Sequence, residues 1–187
     1  KEINPMNMKG LSKERVIMQI KKLINNYYEF FGYIEFSNDI TKITNVDEKV
    51  NKNYDEIIKK KLNNAYSDRL IIIDEVHNIR ISDNNSDKKD KKIAQQLNLL
   101  IENVNNIRLL LLSATPLYNS HKEIIWLLNL MNLNDNRGKL LTNEVFDKNG
   151  DFIKDEKGDE IGRKLLERKA IGYISYIKGD NPYTFPY

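Results

Sequence analysis

Apolar residues in the first third of the chain recur at helical spacing. From Ser12, which has the side chain of an N-cap, they follow one another three or four positions apart as far as Phe31, and Gly32 ends the predicted helix. The alternation over Tyr33–Phe36 predicts a short strand. Residues 37–53 are polar and predict a loop or a broken helix.

Two continuous apolar runs, Leu70–Ile73 and Leu109–Leu112, occupy the middle of the chain. Unbroken hydrophobicity is typical of strands that are buried on both faces of a parallel sheet. Helices are predicted before the first run, over Tyr54–Ala65, and between the two runs, from Ile93. The order strand, helix, strand predicts a βαβ crossover, and the charged stretch 83–92 within it predicts a solvated surface insertion.

The C-terminal part of the chain combines helical patterns with turn signals. Ser120-x-x-Glu123 has the form of a capping box and introduces an apolar helix over Ile124–Leu133. Residues 146–161 hold two turn-forming sequences and predict a hairpin or a mobile excursion. A last helix is predicted over Arg163–Lys169, and no internal repeat is apparent.

Residues 172–187 are aromatic and punctuated by proline, and they allow two interpretations. Their rings and Lys178 could stack on a nucleic-acid strand or follow it. Alternatively, apolar side chains of the first half pack on the core, and the rest is a rigid connector (Tyr173, Ile174, Tyr176 and Ile177 would pack). The connector is favoured because Pro182 and Pro186 restrict the backbone and the local charge is nearly balanced.

Composition narrows the possible chemistry. The 187 residues suffice for one domain and a little more, at about 150 residues per domain. With 30 basic and 27 acidic residues, the net charge of +3 is too small to indicate nucleic acid by itself. The lack of cysteine excludes disulfide and thiolate sites, and two histidines, His77 and His121, exclude a multi-histidine metal centre. Neither a membrane-spanning run nor a signal peptide is visible, so neither secretion nor a membrane partner is expected.

Two adjacent carboxylates, Asp74 and Glu75, follow the first apolar run. Open α/β sheets bind ligands at the carboxyl ends of their strands. In nucleoside triphosphatases the aspartate of such a pair holds Mg²⁺, usually through water, and the glutamate polarises the attacking water. A dication also relieves the repulsion between neighbouring carboxylates. The alternative is an ordinary strand end whose acidic side chains face solvent.

Ser113-Ala114-Thr115-Pro116 follows the second apolar run. Small hydroxylated residues there can hydrogen-bond the carboxylates and transmit the state of a phosphate site to a bound strand. The alternative is an N-cap or turn, with Pro116 as the first residue of a helix. Because each segment ends an apolar strand and one helix separates them, the two together favour the functional interpretation.

Asp74-Glu75-Val76-His77 and Ser113-Ala114-Thr115 resemble motifs II and III of superfamily 2 helicases of the DExH subtype. The longer strings Ile71–Arg80, Ser113–Asn119 and Gly172–Pro186 are similar to those of the helicase-like ATPases of large nucleocytoplasmic DNA viruses. That group is Swi/Snf-like and includes the poxvirus early transcription factor small subunit and nucleoside triphosphatase I. The resemblance covers most of the chain and is looser in its N-terminal part.

The resemblance implies roles for individual residues. Asp74 would bind Mg²⁺ through water, and Glu75 would be the general base in ATP hydrolysis. With these two acids, His77 would belong to the nucleotide site and couple it to a partner domain; a residue that caps the strand end is the alternative. The motif Ser113-Ala114-Thr115 would link hydrolysis to movement on nucleic acid. For Asn78 and Arg80 the resemblance suggests support of the loop, with a phosphate contact by Arg80 as the alternative.

The fold implied is α/β, the second half of a RecA-like motor domain, with a parallel sheet flanked by helices over residues 1–171. Residues 172–187 would lead to a second motor domain. No G-x-x-x-x-G-K-[ST] pattern occurs, and the chain opens with Lys1 rather than Met, so the phosphate-binding loop is expected upstream. The chain on its own is therefore expected neither to bind ATP tightly nor to hydrolyse it.

The predicted function is that of a nucleic-acid-dependent ATPase, a helicase or translocase that uses ATP and Mg²⁺ and serves viral transcription. DNA is favoured over RNA as the track, and the expected partners are a second RecA-like domain and a viral RNA polymerase. An intracellular location, in the virion or the host cytoplasm, follows from the viral resemblance. The alternatives are a non-catalytic docking subunit that keeps the ATPase fold, and the motor subunit of a restriction or remodelling enzyme.

Overall fold

The computed structural model describes residues 10–46, 53–79, 88–116 and 123–176. A short parallel sheet flanked by helices confirms the α/β class and is consistent with part of a RecA-like domain. The elements follow one another as α1 (Lys13–Tyr27), α2 (Tyr33–Ile43), α3 (Tyr54–Tyr66), β1 (Leu70–Ile73), α4 (Lys88–Asn103), β2 (Arg108–Leu111), α5 (Glu123–Asn134), α6 (Thr142–Val145) and α7 (Ile161–Ala170).

The two strands pair in parallel, with Ile73 opposite Leu111. Since α4 connects them, the predicted βαβ crossover is confirmed. The pairing continues past both strands, because the N–H of Leu112 donates to the carbonyl of Ile73 (2.8 Å) and the N–H of Val76 donates to the carbonyl of Leu112 (3.0 Å). The segments that follow β1 and β2 therefore start side by side.

One face of the sheet is covered by the described helices and the other is not. Ile71, Leu109 and Leu111 pack against a core cluster that includes residues of α4 and α5. On the opposite face, Leu70 and Ile72 are 57% and 50% exposed. The prediction of strands buried on both faces is therefore wrong for the described part of the chain, which supplies a covering layer on one side.

The segment Tyr33–Phe36 is the first turn of α2, and the predicted strand is wrong. Glu35 stabilises the start of the helix, because its carboxylate accepts the N–H of Gly32 (3.3 Å). Phe36 and Ile40 stand on one helical face, where Ile40 is fully buried and Phe36 packs against the core. Four alternating residues can equally begin a helical stripe, and here tertiary packing decides between strand and helix.

The N-terminal boundaries also differ from the predicted ones. Ser12 occupies the N-cap position of α1, but the helix ends at Tyr27 rather than Phe31, and none of its residues is buried. The polar stretch after Phe36 is helical as far as Ile43. No helix within the described residues combines the length and the apolar character that crossing a lipid bilayer requires.

The remaining predicted helices are present, with shifted ends. Helix α4 begins at Lys88, inside the stretch 83–92 that the charge pattern predicts as an insertion, and residues 83–87 lie outside the described ranges. Helices α5 and α7 agree with their patterns, whereas α6 was not predicted. The proposed cap Ser120 also falls among residues that are not described.

Between α6 and α7 the chain makes two turns of the same design. In each, an aspartate carboxylate accepts the backbone N–H groups of the residues two and four positions later, and a glycine has a positive φ. The turns are Asp147–Asp151 and Asp155–Asp159, and an antiparallel bridge joins Phe146 to Phe152 across the first. The chain therefore contains a short repeat, Asp-x-x-Gly-Asp, that the sequence analysis misses.

The C-terminal tail follows its predicted packing only in part. The guanidinium of Arg137 lies over the ring of Tyr173, 5.3 Å from its centroid. In contrast, Ile174 and Tyr176 are exposed, so the prediction that they pack on the core is wrong. Residues 177–187 lie outside the described part of the chain.

Tyr66 offers a test of the packing of α2 against α3. Its ring is buried, and its hydroxyl donates to the carboxylate of Asp39 on α2 (2.5 Å). Burial, followed by the nearby Asp39, raises the pKa of the Tyr66 phenol above its usual 10.0. Because the neutral phenol is the form that the fold stabilises, this contribution is complete below pH 10 and is lost as the pH rises above that value.

We expect Tyr66→Phe to lower the free energy of unfolding by about 1 kcal/mol at pH 8, through loss of the hydrogen bond to Asp39. The difference from the wild type should nearly vanish at pH 11, where the unfolded wild-type chain ionises and the folded chain does not. Urea unfolding of both proteins at the two pH values measures this. A difference that stays constant with pH would contradict the explanation.

Candidate active site

The site is built on the turn that follows β1. Asp74 and Glu75 form the turn, and a 3₁₀ turn, Val76–Asn78, comes directly after them. Glu75 has φ 50° and ψ 45°, a left-handed conformation that residues other than glycine rarely adopt. Val76 and Ile79 are buried and anchor the turn, whereas Asp74 and Glu75 are exposed.

The two carboxylates differ in their contacts. Oδ1 of Asp74 accepts the N–H of Glu75 (3.1 Å), while the side chain of Glu75 is 53% exposed. Carboxylate oxygens are the ligands that Mg²⁺ prefers, and Mg²⁺ on nucleotides usually takes one or two of them, completing its shell with phosphate and water. No group of three or more acidic or histidine side chains forms a metal cage in the described ranges. The residues therefore fit a water- and phosphate-ligated Mg²⁺ rather than an ion held by protein alone.

The segment after β2 lies at the same edge of the sheet. Nδ1 of His77 is 2.9 Å from Oγ of Ser113, so the two candidate motifs are in direct contact. Oγ of Ser113 also accepts the N–H of Thr115 (3.1 Å), which is the local turn that the alternative interpretation of this segment predicts. The hydroxyl of Ser113 thus forms the local turn and also contacts His77 of the other candidate motif.

His77 stands between the two motifs. Its Nδ1 lies 3.2 Å from Oε2 of Glu75 and 2.9 Å from Oγ of Ser113, and the side chain is only 17% exposed. An ionised carboxylate can only accept a hydrogen bond, whereas a serine hydroxyl can donate or accept one, so the tautomer of His77 sets the direction of its contact with Ser113. One ring nitrogen of His77 therefore contacts both candidate motifs.

The contacts differ in one respect from the sequence-based expectation. Within the described residues, the hydroxyl of Ser113 reaches His77 instead of Asp74 or Glu75. The side chains of Ala114 and Thr115 are exposed beside it. The connection between the acidic pair and the hydroxyl segment therefore runs through His77.

Tyr33 is a residue of the site that the sequence analysis misses. Its hydroxyl donates to the backbone carbonyls of Asp74 and Glu75, the second at 3.0 Å. Burial raises the pKa of the Tyr33 phenol, and the side chain of Asn78 acts in the opposite direction. No motif marks this tyrosine, and the strand predicted over Tyr33–Phe36 would give it no such role. Arg80, for which the resemblance suggests support of the loop, lies outside the described ranges, as does His121, to which no role is assigned.

Comparison with known proteins finds relatives in large DNA viruses. No family model and no solved structure matches the chain. Over 92% of its length it is 27% identical to the "Putative ATP-dependent RNA helicase L377" of Acanthamoeba polyphaga mimivirus, and over 94% it is 30% identical to the "Putative ATP-dependent RNA helicase R563" of the same virus. It is also 26% identical, over 60% of its length, to the "Putative helicase 087L" of Invertebrate iridescent virus 3.

The relatives are much longer than the chain, which spans 15%, 29% and 10% of their respective lengths. The similarity to the two mimivirus proteins nevertheless covers nearly all of the chain and so includes both segments of the candidate site. It supports, at the level of a broad family, the helicase resemblance on which the sequence analysis depends. Along most of its length the chain is thus similar to proteins named as helicases in large DNA viruses.

Proposed function

We propose that the chain forms part of the motor domain of a nucleic-acid-dependent ATPase of the DExH superfamily 2 type. One observation carries the proposal: the Asp74–Glu75 turn and the Ser113–Thr115 segment meet at the carboxyl edge of a parallel sheet. They are connected there by the contact between His77 and Ser113. Ligands of open α/β sheets bind at this edge. The helicase names of the relatives point to the same class of activity.

Each residue of the turn has a definite task in this proposal. Bound Mg²⁺ would neutralise charge on the triphosphate of ATP, and Asp74 would hold its water shell. The exposed carboxylate of Glu75 would accept a proton from the water that attacks the γ-phosphate. Both tasks require side chains that are accessible from solvent at the open edge of the sheet, and Asp74 and Glu75 are exposed there.

His77 and Ser113 would transmit the state of the nucleotide site. Because Nδ1 of His77 lies 3.2 Å from Glu75 and 2.9 Å from Ser113, a change in the charge around Glu75 would alter the hydrogen bond to the hydroxyl segment. The segment Ser113–Thr115 follows β2 directly, so movement of its backbone is coupled to the edge of the sheet. Through His77 and Ser113, hydrolysis at Glu75 would therefore be coupled to the segment Ser113–Thr115, which would respond to bound nucleic acid.

The complete polypeptide would supply the rest of the motor. A phosphate-binding loop and a second RecA-like domain are part of the proposal, since an ATPase of this type needs both to bind and turn over ATP. Two relatives carry RNA in their names, while the sequence analysis favours DNA as the track. A viral RNA polymerase is proposed as a further partner, consistent with a role in transcription.

An ATPase assay of the complete polypeptide tests the proposal. We expect Mg²⁺-dependent release of phosphate from ATP that rises when single-stranded DNA, double-stranded DNA or RNA is added. The nucleic acid that gives the largest stimulation identifies the track. Absence of hydrolysis with all three would contradict the proposal and favour the docking subunit, whose fold would be kept without its chemistry.

A further inference from the structure

The hydroxyl of Tyr33 joins the first turn of α2 to the turn that carries the acidic pair. A phenol has one proton to donate, and this one is shared between the backbone carbonyls of Asp74 and Glu75. The side chain of Asn78 interacts with the same hydroxyl and acts to lower its pKa. One side chain, distant in sequence, therefore donates to the backbone of both acidic residues of the turn that follows β1.

These contacts restrain the peptide unit that sets the direction of the Glu75 side chain. The carbonyl of Asp74 belongs to the peptide plane that leads into Glu75, so a hydrogen bond to it restricts rotation about the N–Cα bond of Glu75. That rotation is already unusual, because φ of Glu75 is 50°. A left-handed conformation outside glycine persists when its surroundings hold it, and such positions concentrate at functional sites.

Tyr33 is itself firmly supported. It is the first residue of α2, whose N-terminus is capped by Glu35 and whose Ile40 is fully buried. Burial raises the pKa of the Tyr33 phenol, and the negative charges of Asp74 and Glu75 act in the same direction. The hydroxyl therefore keeps its proton, and its ability to donate, throughout the neutral pH range.

We propose that Tyr33 is a positioning residue for the hydrolytic reaction: it fixes the Asp74–Glu75 peptide so that the carboxylate of Glu75 faces the attacking water. The proposal rests on the proposed function, since it assigns Glu75 the role of general base. Tyr33 touches the backbone of the catalytic turn rather than the reacting atoms. Its effect on the reaction is therefore exerted through Glu75.

Tyr33→Phe in the complete polypeptide tests this, because it removes the hydroxyl and keeps the ring. We expect kcat for ATP hydrolysis to fall about 3- to 10-fold, the effect of losing one hydrogen bond, while KM for ATP stays within about twofold. Tyr27→Phe is the matched control, since Tyr27 is an exposed tyrosine outside the site and should behave like the wild type. An unchanged kcat in a folded Tyr33→Phe protein would overturn the proposal.

A double mutant separates positioning from a general loss of structure. In the Glu75→Gln background, Tyr33→Phe should leave the residual rate unchanged, because the side chain that it positions no longer acts as a base. An equal further loss in that background would overturn the proposal. If Tyr33→Phe does not fold, Asn78→Ala replaces it, because the side chain of Asn78 interacts with the phenol. Its removal should lower kcat with KM retained, and an unchanged kcat would again overturn the proposal.

The outcomes distinguish this inference from the function on which it rests. A wild-type protein that does not hydrolyse ATP with any nucleic acid would overturn both. Hydrolysis that is lost in Glu75→Gln but unaffected in Tyr33→Phe would overturn the role of Tyr33 alone. Loss of kcat in both single mutants, without an additional loss in the double mutant, is the expected result.

Discussion

Replacement of Glu75 by glutamine in the complete polypeptide is expected to lower the rate of ATP hydrolysis by about 10²- to 10⁴-fold while ATP binding is retained. Glutamine has nearly the same shape as glutamate, and its amide group can still hydrogen-bond Nδ1 of His77, which lies 3.2 Å from the carboxylate in the wild type. What it lacks is a basic oxygen that can take a proton from water. The loss should therefore fall on kcat.

Phosphate release at saturating nucleic acid and ATP, together with titration of a fluorescent ATP analogue, measures the two quantities. Glu156→Gln is the control, because Glu156 is an exposed glutamate in the second of the repeated turns and should leave the rate unchanged. Turnover by Glu75→Gln at the wild-type rate would remove Glu75 from the role of general base. A parallel loss of nucleotide affinity would assign it to binding instead.

Replacement of Gly162 by alanine is expected to destabilise the fold by about 3 kcal/mol, at the upper end of the usual cost of overpacking. A Cβ atom at this position would lie 2.1 Å from the carbonyl oxygen of Val145 and 3.0 Å from the backbone N of Ile153. The N–H groups of Ile153 and Gly162 donate to the carbonyls of Val145 and Ile153, respectively, both at 3.0 Å, so the obstructing atoms are fixed in a backbone network.

Urea unfolding of the chain carrying Gly162→Ala measures the effect. Gly138→Ala provides the comparison: the nearest atom to its added Cβ would be Nζ of Lys169 at 3.8 Å, an ordinary contact. That substitution should be neutral or slightly stabilising, because alanine restricts the unfolded chain more than glycine does. Equal stabilities of the two variants would show that α7 can move away from Val145 without cost.

The central βαβ unit could be predicted from sequence because its signals are strong and local. Leu70–Ile73 and Leu109–Leu112 are unbroken apolar runs, too short for helices, with a long helical stripe between them. Their pairing in parallel follows from the crossover alone. The burial of their outer face could not be predicted, because it depends on which elements lie over the sheet and not on the strands themselves.

The N-terminal error has a different origin. Tyr33–Phe36 alternates over four residues only, and both a strand and a helix satisfy so short a pattern. The contact that decides between them is the packing of Phe36 against Tyr66 on α3, with ring centroids 5.8 Å apart. Tertiary contacts of this kind overrule local preference and leave no trace in the local pattern.

The candidate site was predictable only where its residues are contiguous. Asp74 and Glu75 form one motif and Ser113–Thr115 the other, and the strand order is enough to bring them to one edge. The contact of His77 with Ser113 could not be predicted from sequence, because it depends on the 3₁₀ turn and on the backbone pairing that continues past β1. Tyr33 belongs to a different element and lies in no recognisable motif, so only the hydrogen bonds of its hydroxyl identify it as part of the site.

The sheet face that no described helix covers affects how the chain behaves when it is prepared by itself. This face presents four leucine and isoleucine side chains that are 41–57% exposed to water: Leu70, Ile72, Leu110 and Leu112. The net charge of the chain is only +3. Hydrocarbon surface gains about 25 cal/mol for every Å² removed from water, and a weak net charge does little to keep molecules apart. We expect concentrated preparations to self-associate first through this face, and charged substitutions there to improve solubility without altering the edge that carries Asp74 and Glu75.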